Sequence, residues 1–179
     1  DSVSEMTISY RTANNMIILP VKINDSISLN LILDTGCRNL VLFGKRFQKF
    51  FKFLPGTKIQ FSGLGSGKPV MGRLSLYNKV SIHEVLGEKI PVVVVPEKNV
   101  LSLYDDVDGV IGYDIFQKFE IEVNPRTQII TFRPAMNMIP PLGFIQVPLR
   151  IVDSRPVMSS VISFKEGQEK SYELMIDTG

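Results

Sequence analysis

The 179-residue sequence contains one cysteine, one histidine and no tryptophan. The single cysteine, Cys37, excludes an internal disulfide framework and a cysteine-rich metal site, so cysteine content leaves the cellular compartment open. No apolar run reaches the length that a membrane span requires, and we therefore expect none. The formal net charge is only +2, with 20 basic and 18 acidic residues, which argues against a nucleic-acid-binding surface.

The residues that are present describe a turn-rich globular protein. Hydrophobic residues make up 44% of the chain, and 11 prolines and 13 glycines are spread along it. Most segments are short, alternating or β-branched, and bounded by Gly, Pro, Asn or Asp, which predicts an all-β fold. In the segment 26–33, leucine and isoleucine occupy alternate positions, so a strand delivers Asp34 at its end. Further strands are expected at 16–23, 58–61, 70–77, 80–85, 89–95, 120–123 and 128–132. The last two are expected to pair through a hairpin turn that starts at Asn124-Pro125.

Helical patterns are few. A stripe of aromatic and leucine side chains with basic residues opposite predicts one amphipathic helix; the stripe consists of Phe43, Phe47, Phe50, Phe51 and Leu54. Such a helix suits an anionic membrane surface, but packing of the stripe on the sheet with solvated lysines is the favoured interpretation. A second short helix is expected to begin near Tyr113 and to end before Phe119.

An internal repeat dominates the interpretation of the chain. The triplet Asp34-Thr35-Gly36 recurs as Asp177-Thr178-Gly179, each time after an apolar stretch. Upstream, Leu19-Pro20-Val21-Lys22 resembles Arg155-Pro156-Val157-Met158. Two carboxylates brought within about 3 Å cannot both ionise, so one stays protonated while the other acts as a base. A water between them can then attack a peptide carbonyl, with no metal or organic cofactor.

On these residues the sequence resembles the retropepsin and pepsin superfamily of aspartic proteases. The resemblance implies an acid-protease-like closed β-barrel lobe with one or two short helices. It assigns Asp34 and Asp177 as catalytic residues, and it assigns loop support to Thr35, Gly36, Thr178 and Gly179. It extends to a glycine-rich segment where the family has its substrate-covering flap, comprising Gly63, Leu64, Gly65, Ser66 and Gly67. It also extends to the family's two-hydrophobics-then-glycine signature beneath the catalytic loop, here Val110, Ile111 and Gly112.

The sequence departs from the family pattern at two places. Cys37 follows the first triplet where the family usually has Ser or Ala, and the chain stops directly after the second triplet. We therefore expect a first lobe with its flap over residues 1–140 and a partial second lobe over 141–179. The active form is then either bilobal, with a second lobe that these residues only begin, or a homodimer through Asp34.

Other motifs in the chain favour simpler interpretations. Gly65-Ser66-Gly67-Lys68 lacks the first glycine and the final Ser or Thr of a phosphate-binding loop. Cys37 and His83 are interpreted as a small buried residue and a strand residue rather than a nucleophile and its base. Three neighbouring carboxylates lack the distal Glu of a calcium loop and predict a solvated acidic turn; they are Asp105, Asp106 and Asp108.

The sequence thus predicts an aspartic endopeptidase, or a lobe of one, acting on a peptide or protein substrate. The alternative is a noncatalytic peptide-binding module that keeps the cleft. In both cases an extended peptide is expected beneath the flap as an added strand. The first residue, Asp1, is not a methionine, which together with the protease type predicts an extracytoplasmic location, either periplasmic or secreted.

Overall fold

The computed structural model describes residues 5–61, 69–97, 106–135, 140, 142–165 and 167–179. In these ranges the chain forms strands β1 (Met6–Ser9), β2 (Arg11–Ala13), β3 (Met16–Ile23), β4 (Ile27–Leu33), β5 (Leu40–Phe43), β6 (Lys58–Phe61), β7 (Val70–Ile82), β8 (Val85–Val95), β9 (Gly109–Ile111), β10 (Phe119–Asn124), β11 (Ile129–Pro134), β12 (Arg150–Val152), β13 (Arg155–Ser163) and β14 (Glu169–Met175). A 3-10 helix spans Lys45–Phe50, and a single turn of α-helix, α1, spans Tyr113–Phe116. The predicted all-β fold with short helices is confirmed.

The largest sheet has the strand order β2-β3-β4-β9-β5-β8-β7-β6 and a further pairing between β3 and β7. That pairing joins Lys22 to Ser81 and Ile23 to Val80, so the sheet curls back on itself. The result is a partly closed ring rather than the closed barrel that the resemblance implied. The two strands predicted at 70–77 and 80–85 are also different, because β7 runs unbroken through Ile82 and β8 begins at Val85.

The core of this ring explains why the predicted strands form. Leu29, Leu31 and Leu33 alternate along β4 and are 5%, 0% and 1% exposed. They pack with buried side chains of β3, β5 and β8 in one cluster that continues to the sheet β1-β11-β10. The alternation predicted from the sequence therefore places one face of β4 in the core, and burial of such leucines contributes about 2 kcal/mol each.

The pairing of β10 with β11 confirms the predicted hairpin at Asn124-Pro125. The Asn124 side chain closes the turn, since its Oδ1 accepts hydrogen bonds from the backbone N–H groups of Arg126 and Thr127 at 3.1 and 3.2 Å. An asparagine in this role is a common reason for a turn at this position.

The predicted amphipathic helix is a short 3-10 helix followed by extended backbone at Phe51. Phe47 and Phe51 are buried against the core, as predicted. Phe50 and Leu54 are 49% and 39% exposed, so packing of the whole stripe on the sheet was wrong. A stripe at helical spacing cannot stay on one face once the helix ends after six residues.

Strands β12, β13 and β14 form a separate antiparallel sheet in the C-terminal part of the chain. Among the described residues from 140 to 179, none is buried. The hydrogen bonds of this part to the rest of the chain include those of the second triplet and one from Arg155, described next.

Candidate active site

The first triplet follows the buried end of β4. The Asp34 N–H donates to the carbonyl oxygen of Ile111 at 2.9 Å, and β9 runs parallel to β4 beside it. Gly112 lies directly under the loop: a Cβ there would be 1.9 Å from the carbonyl oxygen of Asp34 and 2.6 Å from that of Cys37. Only glycine fits at this distance, which gives the Val110-Ile111-Gly112 signature a steric reason.

The second triplet is delivered by an equivalent hairpin unit. In the first copy Arg11 pairs with Ile18 and Ile18 with Ile32, and in the second Arg150 pairs with Val157 and Val157 with Met175. Ile32 and Met175 each lie two residues before the aspartate.

The first turn of each unit has the same backbone conformation. Asn14 and Asn15 have φ of 47° and 65°, and Asp153 and Ser154 have φ of 50° and 65°. Two successive positive φ values are typical of the tight turns that connect two-residue β-hairpins. The repeat therefore extends over three strands and their first turn, well beyond the triplet itself.

This register corrects the upstream resemblance proposed from the sequence. Leu19-Pro20-Val21-Lys22 and Arg155-Pro156-Val157-Met158 are not equivalent, because Met158, not Arg155, is the counterpart of Leu19. The shared Pro-Val pair is out of register by three residues. Strand pairing fixes the correspondence more firmly than a four-residue likeness does.

The two triplets bind each other through their threonines in a reciprocal pattern. Thr35 Oγ1 donates to the carbonyl oxygen of Ile176 at 2.6 Å, and Thr178 Oγ1 donates to that of Leu33 at 2.8 Å. Each hydroxyl also accepts the backbone N–H of the opposite threonine, at 3.2 Å for Thr178 N and 3.1 Å for Thr35 N. The four bonds relate the two loops by a local pseudo-two-fold axis.

The aspartates follow the same symmetry. Gly36 N–H donates to Asp34 Oδ1 at 2.7 Å, and Gly179 N–H donates to Asp177 Oδ1 at 3.1 Å. A Cβ on Gly36 would lie 3.2 Å from both carboxylate oxygens of Asp177. A Cβ on Gly179 would lie 2.5 Å from Cγ of Asp34. Both glycines therefore leave the space into which the opposite carboxyl group fits.

Burial raises the pKa of Asp34 above its ordinary value, and the neighbouring Asp177 raises it further through charge repulsion and a side-chain hydrogen bond. The backbone N–H groups of Gly36 and Cys37 act in the opposite direction. A carboxyl group that keeps its proton beside a second carboxylate is what general acid–base chemistry on a shared water requires.

The Cys37 thiol is held in its protonated form. Burial first, and the charge of Asp34 second, raise the pKa of Cys37 to about 12. Its Sγ donates to the carbonyl oxygen of Asn39 at 3.0 Å. His83 is exposed and lies in the turn between β7 and β8, so its prediction as a strand residue was wrong. These properties do not suit a cysteine nucleophile with a histidine base.

Two residues near the site were not singled out from the sequence. Arg155 Nε donates to the carbonyl oxygen of Gly36 at 3.4 Å, linking the start of β13 to the loop of the first triplet. Asp114, in α1, has a buried Oδ2 without a hydrogen-bond partner in the described structure, and burial raises its pKa. The only sequence feature that could have placed Asp114 near the site is its position two residues after Gly112. For Arg155 the only such feature was its place in the repeat.

The glycine-rich segment assigned as the flap, with Gly63, Leu64, Gly65, Ser66 and Gly67, lies outside the described residues. The strands on either side of it, β6 and β7, pair antiparallel from Lys58 with Arg73 to Phe61 with Val70. A hairpin base at this place is consistent with the segment's connecting the two strands.

Of the three carboxylates predicted to form a solvated acidic turn before β9, Asp105 lies outside the described residues, and the other two make contacts within the fold. Asp106 forms an ion pair with Arg11 at 2.6 Å, and Asp108 pairs with Arg46 and accepts the N–H of Asn30 at 2.9 Å. In the described part of the chain, no group of three or more His, Cys, Asp or Glu side chains is arranged to hold a metal ion. The same residues include no helix long and apolar enough to cross a membrane.

Comparison with known proteins identifies the family of this chain. Residues 19–115, more than half of the chain, match the model of a family described as aspartyl protease. The chain belongs to that family, within the retropepsin-like superfamily of aspartic proteases.

A solved structure gives an independent view of the fold. The chain is similar to the crystal structure of a retropepsin-like aspartic protease from Rickettsia conorii, with a TM-score of 0.52 and 15% sequence identity. The match covers 72% of this chain and 89% of that one. A comparison with curated proteins finds no significant match.

Proposed function

We propose that this chain carries the catalytic centre of an aspartic endopeptidase, with Asp34 and Asp177 as its two carboxyl groups. We assign the shared proton to Asp34, whose pKa is raised by burial and by the neighbouring Asp177, and this carboxyl group hydrogen-bonds the scissile carbonyl. Asp177 removes a proton from the water held between the pair, and the water attacks the carbonyl carbon. The tetrahedral intermediate then collapses with proton transfer to the leaving amine.

The observation that supports this proposal is the reciprocal binding of the two triplets. The Thr35 and Thr178 hydroxyl groups cross between the loops, and Gly36 and Gly179 make room for the opposite carboxyl group. An isolated Asp-Thr-Gly turn that only capped a strand would have no reason for this pairing. Because Asp177 already occupies the place opposite Asp34, the contacts favour a bilobal site over a homodimer through Asp34.

The second unit has the surface of an incomplete lobe. Leu29, Leu31 and Leu33 are at most 5% exposed, whereas their register equivalents Tyr172, Leu174 and Ile176 are 37–39% exposed. In the first lobe β5, β8 and β9 help to cover these positions. We propose that equivalent strands of a complete second lobe cover them in the active enzyme, with the first lobe over residues 1–140 and the second from 141.

The substrate in this proposal is an extended peptide held as an added strand between the dyad and the glycine-rich segment. The family resemblance supports that segment as a flap, and an extracytoplasmic location remains our expectation. No metal or organic cofactor takes part in the proposed reaction.

The test compares two ligands of one sequence: a peptide, and the same peptide with a secondary hydroxyl in place of the scissile amide. An enzyme binds the second ligand at least about a hundredfold more tightly, because it resembles the tetrahedral intermediate. Asp34→Asn should abolish that preference and leave peptide binding. Equal affinity for both ligands, in this chain and in one supplied with a complete second lobe, would favour the noncatalytic module.

A further inference from the structure

The charges of this chain are segregated along the sequence. From Thr35 to His83, 49 residues contain nine lysines and arginines and no Asp or Glu. The rest of the chain contains 11 basic and 18 acidic residues. The formal charge is therefore +9 in residues 35–83 and −7 in the rest of the chain. The small net charge of +2 hides this segregation. A run of one sign on a folded surface indicates a partner of the opposite sign.

Part of this charge lies on the 3-10 helix, on the segment that follows it and on the β6–β7 hairpin. We define the basic–aromatic face by seven residues of these elements: Lys49, Phe50, Phe53, Leu54, Lys58, Met71 and Arg73. The Arg73 guanidinium lies 4.1 Å from the ring centre of Phe53, and the Lys49 ammonium lies 4.9 Å from that of Phe50. Lys58 is directly opposite Arg73 across β6 and β7. The N–H of Leu54 bonds to the carbonyl oxygen of Leu74, next to Arg73, at 3.2 Å. These contacts join the segment after the 3-10 helix to the β6–β7 hairpin.

The basic–aromatic face is not neutralised within the described structure. Arg46 and Lys79, from the same acid-free run, pair with Asp108 and Asp25. Lys49, Lys58 and Arg73 are exposed and lie within ion-pair distance of no described carboxylate. Two like charges directly opposite each other destabilise a pair of strands. An external anionic partner would remove that repulsion.

Apolar side chains stand among these cations. Phe50, Leu54 and Met71 are 49%, 39% and 40% exposed. Gln60 pairs with Met71 two residues along β6 and β7 from the Lys58–Arg73 pair, and therefore lies on the same side of the hairpin. Aromatic and aliphatic tips between lysines and arginines match the interfacial region of a bilayer, where head groups meet acyl chains.

We propose that the basic–aromatic face binds the surface of an anionic lipid bilayer and holds this chain at the membrane. The cations would contact anionic head groups while Phe50, Leu54 and Met71 enter the interface. An acidic polypeptide would satisfy the charges but would need fixed pockets for three apolar tips, whereas a fluid bilayer adapts to them. The inference concerns location and does not depend on the proposed peptidase activity.

The experiment is flotation of the whole chain with vesicles of phosphatidylcholine, with or without 30 mol% phosphatidylserine. We expect binding to the anionic vesicles only, weakening as salt is raised. The triple variant Lys49→Gln, Lys58→Gln, Arg73→Gln should lose about a hundredfold in affinity, from about fivefold per charge.

The matched control removes three exposed lysines outside the face: Lys22→Gln, Lys89→Gln and Lys165→Gln. It has the same net charge as the first triple variant and should lose less than about fivefold. Phe50→Ser should weaken binding about tenfold, whereas Leu86→Ser, which changes a 51% exposed residue elsewhere, should not. Circular dichroism verifies that each variant is folded.

Three results would overturn the proposal. The first is equal binding of the wild-type chain to neutral and anionic vesicles. The second is an equal loss in both triple variants, which would assign the effect to net charge alone. The third is a wild-type chain that does not float with anionic vesicles but binds a glutamate-rich peptide, with this peptide binding lost only in the triple variant Lys49→Gln, Lys58→Gln, Arg73→Gln. That third result would identify an acidic polypeptide as the partner.

Discussion

Replacing Thr35 by valine should loosen the second triplet from the first without unfolding the first lobe. Valine keeps the shape of threonine but cannot donate to the carbonyl of Ile176 or accept the N–H of Thr178, so two hydrogen bonds are lost. At about 1 kcal/mol each, the docked arrangement loses about 2 kcal/mol. That corresponds to a roughly thirtyfold increase in the population of the opened state.

Hydrogen exchange measured residue by residue by NMR reports this opening directly, because the Thr178 N–H is itself one of the donors. We expect its protection to fall roughly thirtyfold in Thr35→Val, while buried amides of β4 keep theirs. The pseudo-two-fold relation predicts a matched effect: Thr178→Val should lower the protection of the Thr35 N–H from hydrogen exchange by a similar factor.

Serine is the control, since Thr35→Ser keeps the hydroxyl group and should retain most of the protection. Equal loss in the serine and valine variants would assign the effect to packing of the methyl group rather than to hydrogen bonding. Unchanged protection of the Thr178 amide in Thr35→Val would refute the reciprocal arrangement itself.

Three further predictions concern the loop and its charges. Gly112→Ala should lower the free energy of unfolding by about 3 kcal/mol, because the new Cβ would overlap the Asp34 carbonyl. The control Gly56→Ala, in open space at φ 75°, should lower it by about 1 kcal/mol, and urea unfolding measures both. Cys37, with its pKa of about 12, should react with iodoacetamide at pH 8 roughly a thousandfold more slowly in the folded chain than in urea; similar rates would contradict its burial. Because its folded pKa is raised, Asp34 should contribute stability below pH 3.8 that is lost as the pH rises through the folded value. Asp34→Asn should therefore reduce the fall in melting temperature that the wild-type chain shows as the pH rises through the folded pKa of Asp34. An unchanged slope would count against the raised pKa.

Much of the first lobe was predictable because its strands are one-sided. The alternating leucines of β4 and the Asn-Pro turn before β11 are local signals, and both predictions were confirmed. The aromatic stripe predicted a helix of the wrong type and length. Its phenylalanines report which side chains are buried, while the extended backbone at Phe51 depends on the neighbouring sheet.

The candidate site was predictable in its residues but not in its geometry. The repeated triplet identified Asp34 and Asp177, and the threonine hydroxyl of such a triplet can bond across a two-fold or pseudo-two-fold interface. The sequence did not show which atoms of the opposite loop each threonine would contact. The register between repeats was also inaccessible, because a shared Pro-Val pair suggested an alignment that strand pairing moves by three residues. Arg155 contacts Gly36 only through that tertiary arrangement.

Carbon-13 NMR titration of the aspartate carboxyl groups tests whether Asp34 and Asp177 form one site. Asp34, assigned by its loss in Asp34→Asn, should titrate above its ordinary range in the wild-type chain. Asp177→Asn should lower that pKa by removing the neighbouring charge, and Asp153→Asn, which changes an exposed carboxylate in the same unit, should leave it unchanged. An Asp34 pKa that does not respond to Asp177→Asn would contradict the account.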